Sequence, residues 1–153
     1  MRLLLLVVAA GCTAAQAQPD PCSASALGIS TATPLVAWTP PAGCTPVHPS
    51  ARTILHSQAD LAAMFQCDKT AKPPALDFTH NSLVVVTWQM SPASTALEAL
   101  DDGTKLTLVT KQRTPCPNDP RPMPMGQTTF FVIAAANAAR NFGDASCTLQ
   151  SRC

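Results

Sequence analysis

Residues 83–88, Leu-Val-Val-Val-Thr-Trp, constrain this chain more than any other stretch. The run is short, rich in β-branched residues and free of polar alternation, so it suits a strand buried on both faces. A helix is the rival, but six residues bounded by Asn81-Ser82 and Ser91-Pro92 are too few to sustain one. Downstream, residues 95–100 and 105–112 flank Asp101-Asp102-Gly103. Asp-Gly between two such runs predicts a hairpin, because glycine takes positive φ without a Cβ clash. In the second arm Leu106 and Leu108 face one way, and Lys105 and Thr107, with Val109 after them, the other. That alternation predicts one packed face and one more solvated face.

The N-terminus reads as an export signal, with Arg2 ahead of an apolar core at residues 3–10. The core is far short of the ~20 residues a helix needs to span a bilayer. Two processing sites compete. Ala9-Ala10-Gly11-Cys12 resembles a bacterial lipobox, which would end the leader at residue 11 and put a lipid on Cys12; Ala9 stands where leucine is usual. Ala15-Gln16-Ala17 is an A-x-A site, which would end the leader at residue 17 and release a secreted or periplasmic protein. Contact with a membrane is expected only through the lipid.

Either route removes Cys12 from folding and leaves Cys22, Cys44, Cys67, Cys116, Cys147 and Cys153. An even number after an export signal reads as three disulfides, with fifteen possible pairings. A preference for short loops selects Cys22–Cys44, Cys67–Cys116 and Cys147–Cys153, the last tying down a terminus that would otherwise fray. A metal site lacks support, since no C-x-x-C occurs and only His48 lies near a cysteine.

A processed chain of about 140 residues is enough for one domain with a real core. Without Arg2 the ten Lys and Arg fall to nine against nine Asp and Glu. No basic stripe exists for nucleic acid. The chain has no Tyr and few aromatics, which disfavours a stacking platform for carbohydrate or an aromatic ligand cage.

Residues 18–50 hold seven of the fifteen prolines, which deny them long helices and central strands. They read as a tether through about residue 21 and then an extended segment stapled to the domain, with an edge strand at 35–39 and Trp38 in the core. The globular part spans 51–153. Residues 52–56 read as a strand and 57–66 as a short helix. Ser57 caps that helix, Asp60 answers the cap, and Leu61, Met64 and Phe65 form the buried stripe. Cys67 pins its end. Residues 114–127 carry five prolines and read as a long ordered loop; 129–135 read as a central strand, 137–143 as a turn and 145–150 as a last edge strand. The expected fold is a single α+β domain, mainly β: an antiparallel sheet or sandwich with one short helix packed on it, stapled by disulfides.

The order strand, capped helix, loop, Leu-Val-Val-Val, Asp-Gly hairpin and final apolar strand resembles the PrcB C-terminal-like family of bacterial envelope accessory proteins. The resemblance covers roughly residues 54–135 and rests most on Pro74, Asp77, Phe78, Asn81 and Leu83, Val84, Val85 and Val86. It implies a lipoprotein or secreted accessory factor. The family's namesake is an auxiliary subunit of a subtilisin-like protease complex, so the implied partner is an extracytoplasmic protease. Relatives place a Gly-rich turn with a Tyr after the apolar strand. Here residues 89–95 contain neither, so a contact made by that turn would be altered or lost.

Asp77 and His80, with Ser82 or Ser91, invite a catalytic reading, but no G-x-S-x-G and no recognisable oxyanion hole accompany them. Asp77 reads as a turn residue before a buried strand and His80 as a loop residue. Asp101, Asp102 and Asp119 lack the alternating oxygens of a calcium loop. A binding edge has more support: Gln89, Met90, Ser91 and Pro92 follow one strand, and Pro122, Met123 and Met125 lie in the proline-rich loop. Methionine adapts to partners. The expected function is a non-enzymatic envelope or secreted protein that binds another protein and needs no cofactor. A protease inhibitor using the rigid loop around Cys116 is the alternative, and a small hydrolase comes third.

Overall fold

The computed structural model describes residues 20–47, 51–91, 94–117 and 125–151. Its elements are β1 (Thr33–Pro34), β2 (Val36–Trp38), β3 (Cys44–Pro46), β4 (Arg52–Leu55), α1 (Gln58–Met64), β5 (Phe65–Cys67), β6 (Ser82–Met90), β7 (Ser94–Asp101), β8 (Lys105–Arg113), β9 (Met125–Ile133) and β10 (Asn141–Leu149). They form one four-stranded sheet of order β1-β7-β8-β10, a second of order β2-β9-β6-β4, and the small pair β3-β5. The pairings are antiparallel except β8 with β10, which run parallel. The chain is mainly β with one short helix, as its patterning predicts.

The apolar run of β6 explains the layering. Side chains alternate across a strand, so Leu83 and Val85 point one way and Val84 and Val86 the other. Val84 and Val86 pack with Leu106 and Leu108 of β8 and Phe131 and Ile133 of β9, filling the space between the two sheets. Leu83 and Val85 pack on the opposite face with Leu61 of α1, Phe65 and Phe130. Each such side chain, fully buried, contributes about 1.5–3 kcal/mol. Trp38 of β2 joins this second core edge-on to Phe65 and Phe130, with ring centroids 6.0 and 5.5 Å away.

Helix α1 starts as its sequence dictates. Ser57 is extended, its Oγ accepts the Asp60 N–H at 3.1 Å, and it donates to the Asp60 carboxylate at 2.6 Å. The helix ends at Met64, two residues before the expected Gln66. Phe65 turns extended there and opens β5, which sets Cys67 directly opposite Cys44. Gln58 holds the following loop against the helix, donating to Pro74 O at 2.7 Å and accepting the Leu76 N–H at 3.3 Å.

The hairpin β7–β8 forms as predicted. Gly103 has φ +94°, and the Asp102 carboxylate accepts the N–H groups of Thr104 and Lys105 at 2.8 and 2.7 Å. The second face of β8, however, is not solvated. Val109 is fully buried and Thr107 nearly so. Residues 20–32 lie over this face, where Cys22 and Ala32 pack with Leu100, Val109 and Cys147. A cover supplied from so far along the chain leaves no trace in the alternation of β8 itself.

The disulfides differ from the short-loop pairings. Cys22 bonds Cys147, not Cys44, and Cys44 bonds Cys67. Cys67 is therefore unavailable to Cys116, and Cys147 to Cys153. Cys116 is disulfide-bonded, with its partner outside the described residues. Proximity in sequence misled because β-pairing, rather than loop length, brings these cysteines together: Cys44 and Cys67 are register partners in β3-β5, and β10 carries Cys147 to the face that residues 20–32 cover. Three further expectations shift at their edges: β6 runs through Gln89 to Met90, β9 begins at Met125 inside the expected loop, and β10 begins at Asn141 inside the expected turn. Disulfides of this number belong to an oxidising, extracytoplasmic setting. Among the described residues no helix is long and apolar enough to cross a membrane.

Candidate protein-binding edge

β6 and β9 pair over nine register positions, from Ser82 opposite Ile133 to Met90 opposite Met125. Composition changes along this ladder. At one end Leu, Val, Phe and Ile are buried, whereas at the other Thr87, Trp88, Gln89 and Met90 face Thr128, Gln127, Gly126 and Met125. Directly opposed residues share a face. Val86, Trp88 and Met90 therefore continue the face that lies between the sheets, with Thr129, Gln127 and Met125 beside them. Trp88 closes the interior there: its indole N–H donates to Thr129 Oγ1 at 3.0 Å. Beyond Trp88 the ladder emerges, with Met90 half-buried and Met125 59% exposed. Ser91 follows, half-buried.

The structure thus joins two sequence candidates 35 residues apart, Met90 and Met125, into one cross-strand pair, with Gln89 exposed next to it. Pro92, Pro122 and Met123 lie outside the described residues, as does His48.

The residues weighed for catalysis separate. Asp77 accepts the side-chain hydroxyl and backbone N–H of Thr79 and lies 2.9 Å from His80 Nδ1. These bonds, the Thr79 hydroxyl first and His80 second, hold the exposed Asp77 carboxyl down at about 2. Asn81 donates its side-chain amide to Asp77 O, so the cluster is a hydrogen-bonded turn leading into β6. Ser82 is fully buried and committed elsewhere: its hydroxyl donates to Ala135 O at 2.8 Å and accepts the Ala138 N–H at 3.1 Å. His56 Nδ1, not His80, sits 3.2 Å from it. Ser82 so fastens the β9–β10 connection to the start of β6. Asp102 is likewise held low, by the N–H groups of Lys105 and Thr104 and then the Thr104 hydroxyl.

Two features had no signal in the sequence. Asp101 and Arg140 form an ion pair at 2.7 Å, with side chains only 10% and 14% exposed. They line a cavity of about 300 Å³ with Leu35, Val36, Ile133 and Ala135. A second concavity, about 410 Å³, lies between β4 and α1 beside Thr53, Leu55, Ala63 and Met64. The first is a product of chain reversal, which brings Leu35, Asp101 and Arg140 into one wall, whereas the second is local, lined by residues 47–64. Among the described residues no three His, Cys, Asp or Glu side chains converge as a metal set. No family model, curated protein or solved structure matches this chain.

Proposed function

We propose that this chain is a non-enzymatic, exported accessory protein that binds another protein through the Met90–Met125 end of β6 and β9. The observation that supports it is the exposure of Met125 at 59%, in register with Met90, where the apolar ladder leaves the interior. Flexible thioether side chains there adapt to a partner's surface, and Trp88 behind them gives a fixed base. An extracytoplasmic protease is the partner that the PrcB C-terminal-like resemblance favours. A lipid on Cys12 would hold the protein at the membrane on which such a partner works.

A photo-crosslinking residue placed at position 125, with a control at the exposed Ala59 of α1, tests the binding end in the native host. The expected result is one discrete adduct from position 125 and none from 59, identified by mass spectrometry. Equal labelling from both, or none, sinks the reading. Met125→Glu should then weaken the isolated complex by about tenfold or more, as for a buried interface anchor. Intact mass decides the tether: a chain starting at Cys12 with diacylglycerol supports it, and a chain starting at Gln18 rejects it.

A further inference from the structure

Among the described residues the two sheets end on four edge strands, and one of them is unlike the rest. β1 and β2 have two and three residues and are interrupted or followed by Pro34, Pro40 and Pro41; β4 has four. β10 has nine residues and no proline. Short length, proline and charge are the devices that blunt a free edge. β10 has neither of the first two, and its one charge is answered within the chain: Arg52 grips the Asp144 carboxylate with two hydrogen bonds of 2.6 and 2.9 Å.

The ladder fixes which peptide groups remain. Asn141 N–H donates to Thr104 O and Leu149 O accepts the Thr114 N–H, each at 3.1 Å. Both ends of β10 therefore turn toward β8, and with a period of two so do Gly143, Ala145 and Cys147. Phe142, Asp144, Ser146 and Thr148 present their N–H and C=O groups outward. Among the described residues no strand pairs with that side.

We propose that this edge is a homodimer seam, in which β10 pairs antiparallel with β10 of a second copy about a two-fold axis at Ala145. Two four-stranded sheets then become one continuous eight-stranded sheet. The choice of a second copy rests on self-complementarity. The four outward residues are symmetric about Ala145, so Phe142 meets Thr148 and Asp144 meets Ser146, and every outward peptide group is used. The single carboxylate faces a hydroxyl. Moving the axis to Asp144 would set two carboxylates against each other, which is destabilising. Moving it to Ser146 would carry Phe142 past the strand end to Gln150. An isologous pair of this kind closes on itself and uses the β10 edge of both copies, so no β10 edge is left to recruit a third copy. The seam uses no residue of the Met90–Met125 end.

The test is light scattering of the purified, disulfide-bonded protein over a dilution series, with residue-resolved amide exchange at the two extremes. The expected result is a dimer that dissociates on dilution. The amides of Asp144, Ser146 and Thr148 should lose protection with it, while those of Gly143, Ala145 and Cys147 stay protected. Ser146→Pro removes one outward N–H and leaves the β8 ladder whole. Symmetry doubles that loss to two hydrogen bonds, so dimerisation should weaken by about tenfold or more. A monomer at every concentration overturns the proposal, as does a dimer whose outward amides exchange alike at both extremes. A dimer that tolerates Ser146→Pro without loss of affinity overturns it too.

Discussion

The two outer faces of the sandwich are covered in opposite ways. The sheet containing β6 is covered by α1 and the β3-β5 pair, neighbours of β4 in sequence, and their disulfide spans 23 residues. The sheet containing β8 is covered by residues 20–32, held by a disulfide that spans 125. The first cover brings its own helix, cap and register. The second has no sheet ladder of its own beyond the two-residue β1, and depends on a handful of apolar contacts and one bond. A local cover folds with what it covers, whereas a distant one must first meet the cost of closing a long loop.

The disulfides give that contrast its largest measure. In the chain-entropy account, removing the 125-residue bridge with Cys22→Ala and Cys147→Ala should cost about 5 kcal/mol, and removing the 23-residue bridge with Cys44→Ala and Cys67→Ala about 3.5. Denaturant unfolding of the two double variants measures both. Equal costs would mean that loop closure is not what separates the covers. Leu61→Ala, which hollows the local cover at a fully buried site, should cost about 3 kcal/mol, against about 1 for Leu27→Ala in the half-buried distant cover. A larger effect at Leu27 would reverse the ranking of the two faces. Ser57→Ala deletes the cap of α1 and should cost about 1 kcal/mol, with no change in exchange of the amides of β8.

The smallest effect concerns the turn before β6. Asp77 should titrate near 2 by carboxyl NMR and move back toward the ordinary range in Thr79→Ala, since the Thr79 hydroxyl is the chief cause of its depression. A folded value below the unfolded one, about 3.9, means that its contribution is present above that unfolded value. The contribution is lost as pH falls through 2. Solvent screening at this exposed side chain keeps it small, so the acid limb of stability should hardly change in Asp77→Asn.

Much of the architecture was legible locally. The run Leu83 to Val86 announced a strand buried on both faces, Asp102-Gly103 a hairpin, and Ser57 with Asp60 a helix start, because each depends on residues within a few positions of one another. What was misread depends on partners far away. Val109 looked half-solvated because nothing near it in sequence reveals residues 20–32. The Cys22–Cys147 pairing was missed for the same reason, and Cys44–Cys67 because it depends on the β3-β5 register. In the candidate site, Met90 and Met125 were legible as adaptable residues in loops, but their facing one another required the β6–β9 register.

The sequence by itself therefore determined the type of the main elements, the twofold burial of β6 and a disulfide-bonded chain. Each follows from side-chain periodicity, turn geometry or composition. Tertiary structure decided which cysteines meet, what covers β8, that Arg140 rests on Asp101, and that β10 stands as a long edge with no strand beside it among the described residues. Those outcomes follow from strand order and register, which the packing of two sheets selects over the whole chain at once.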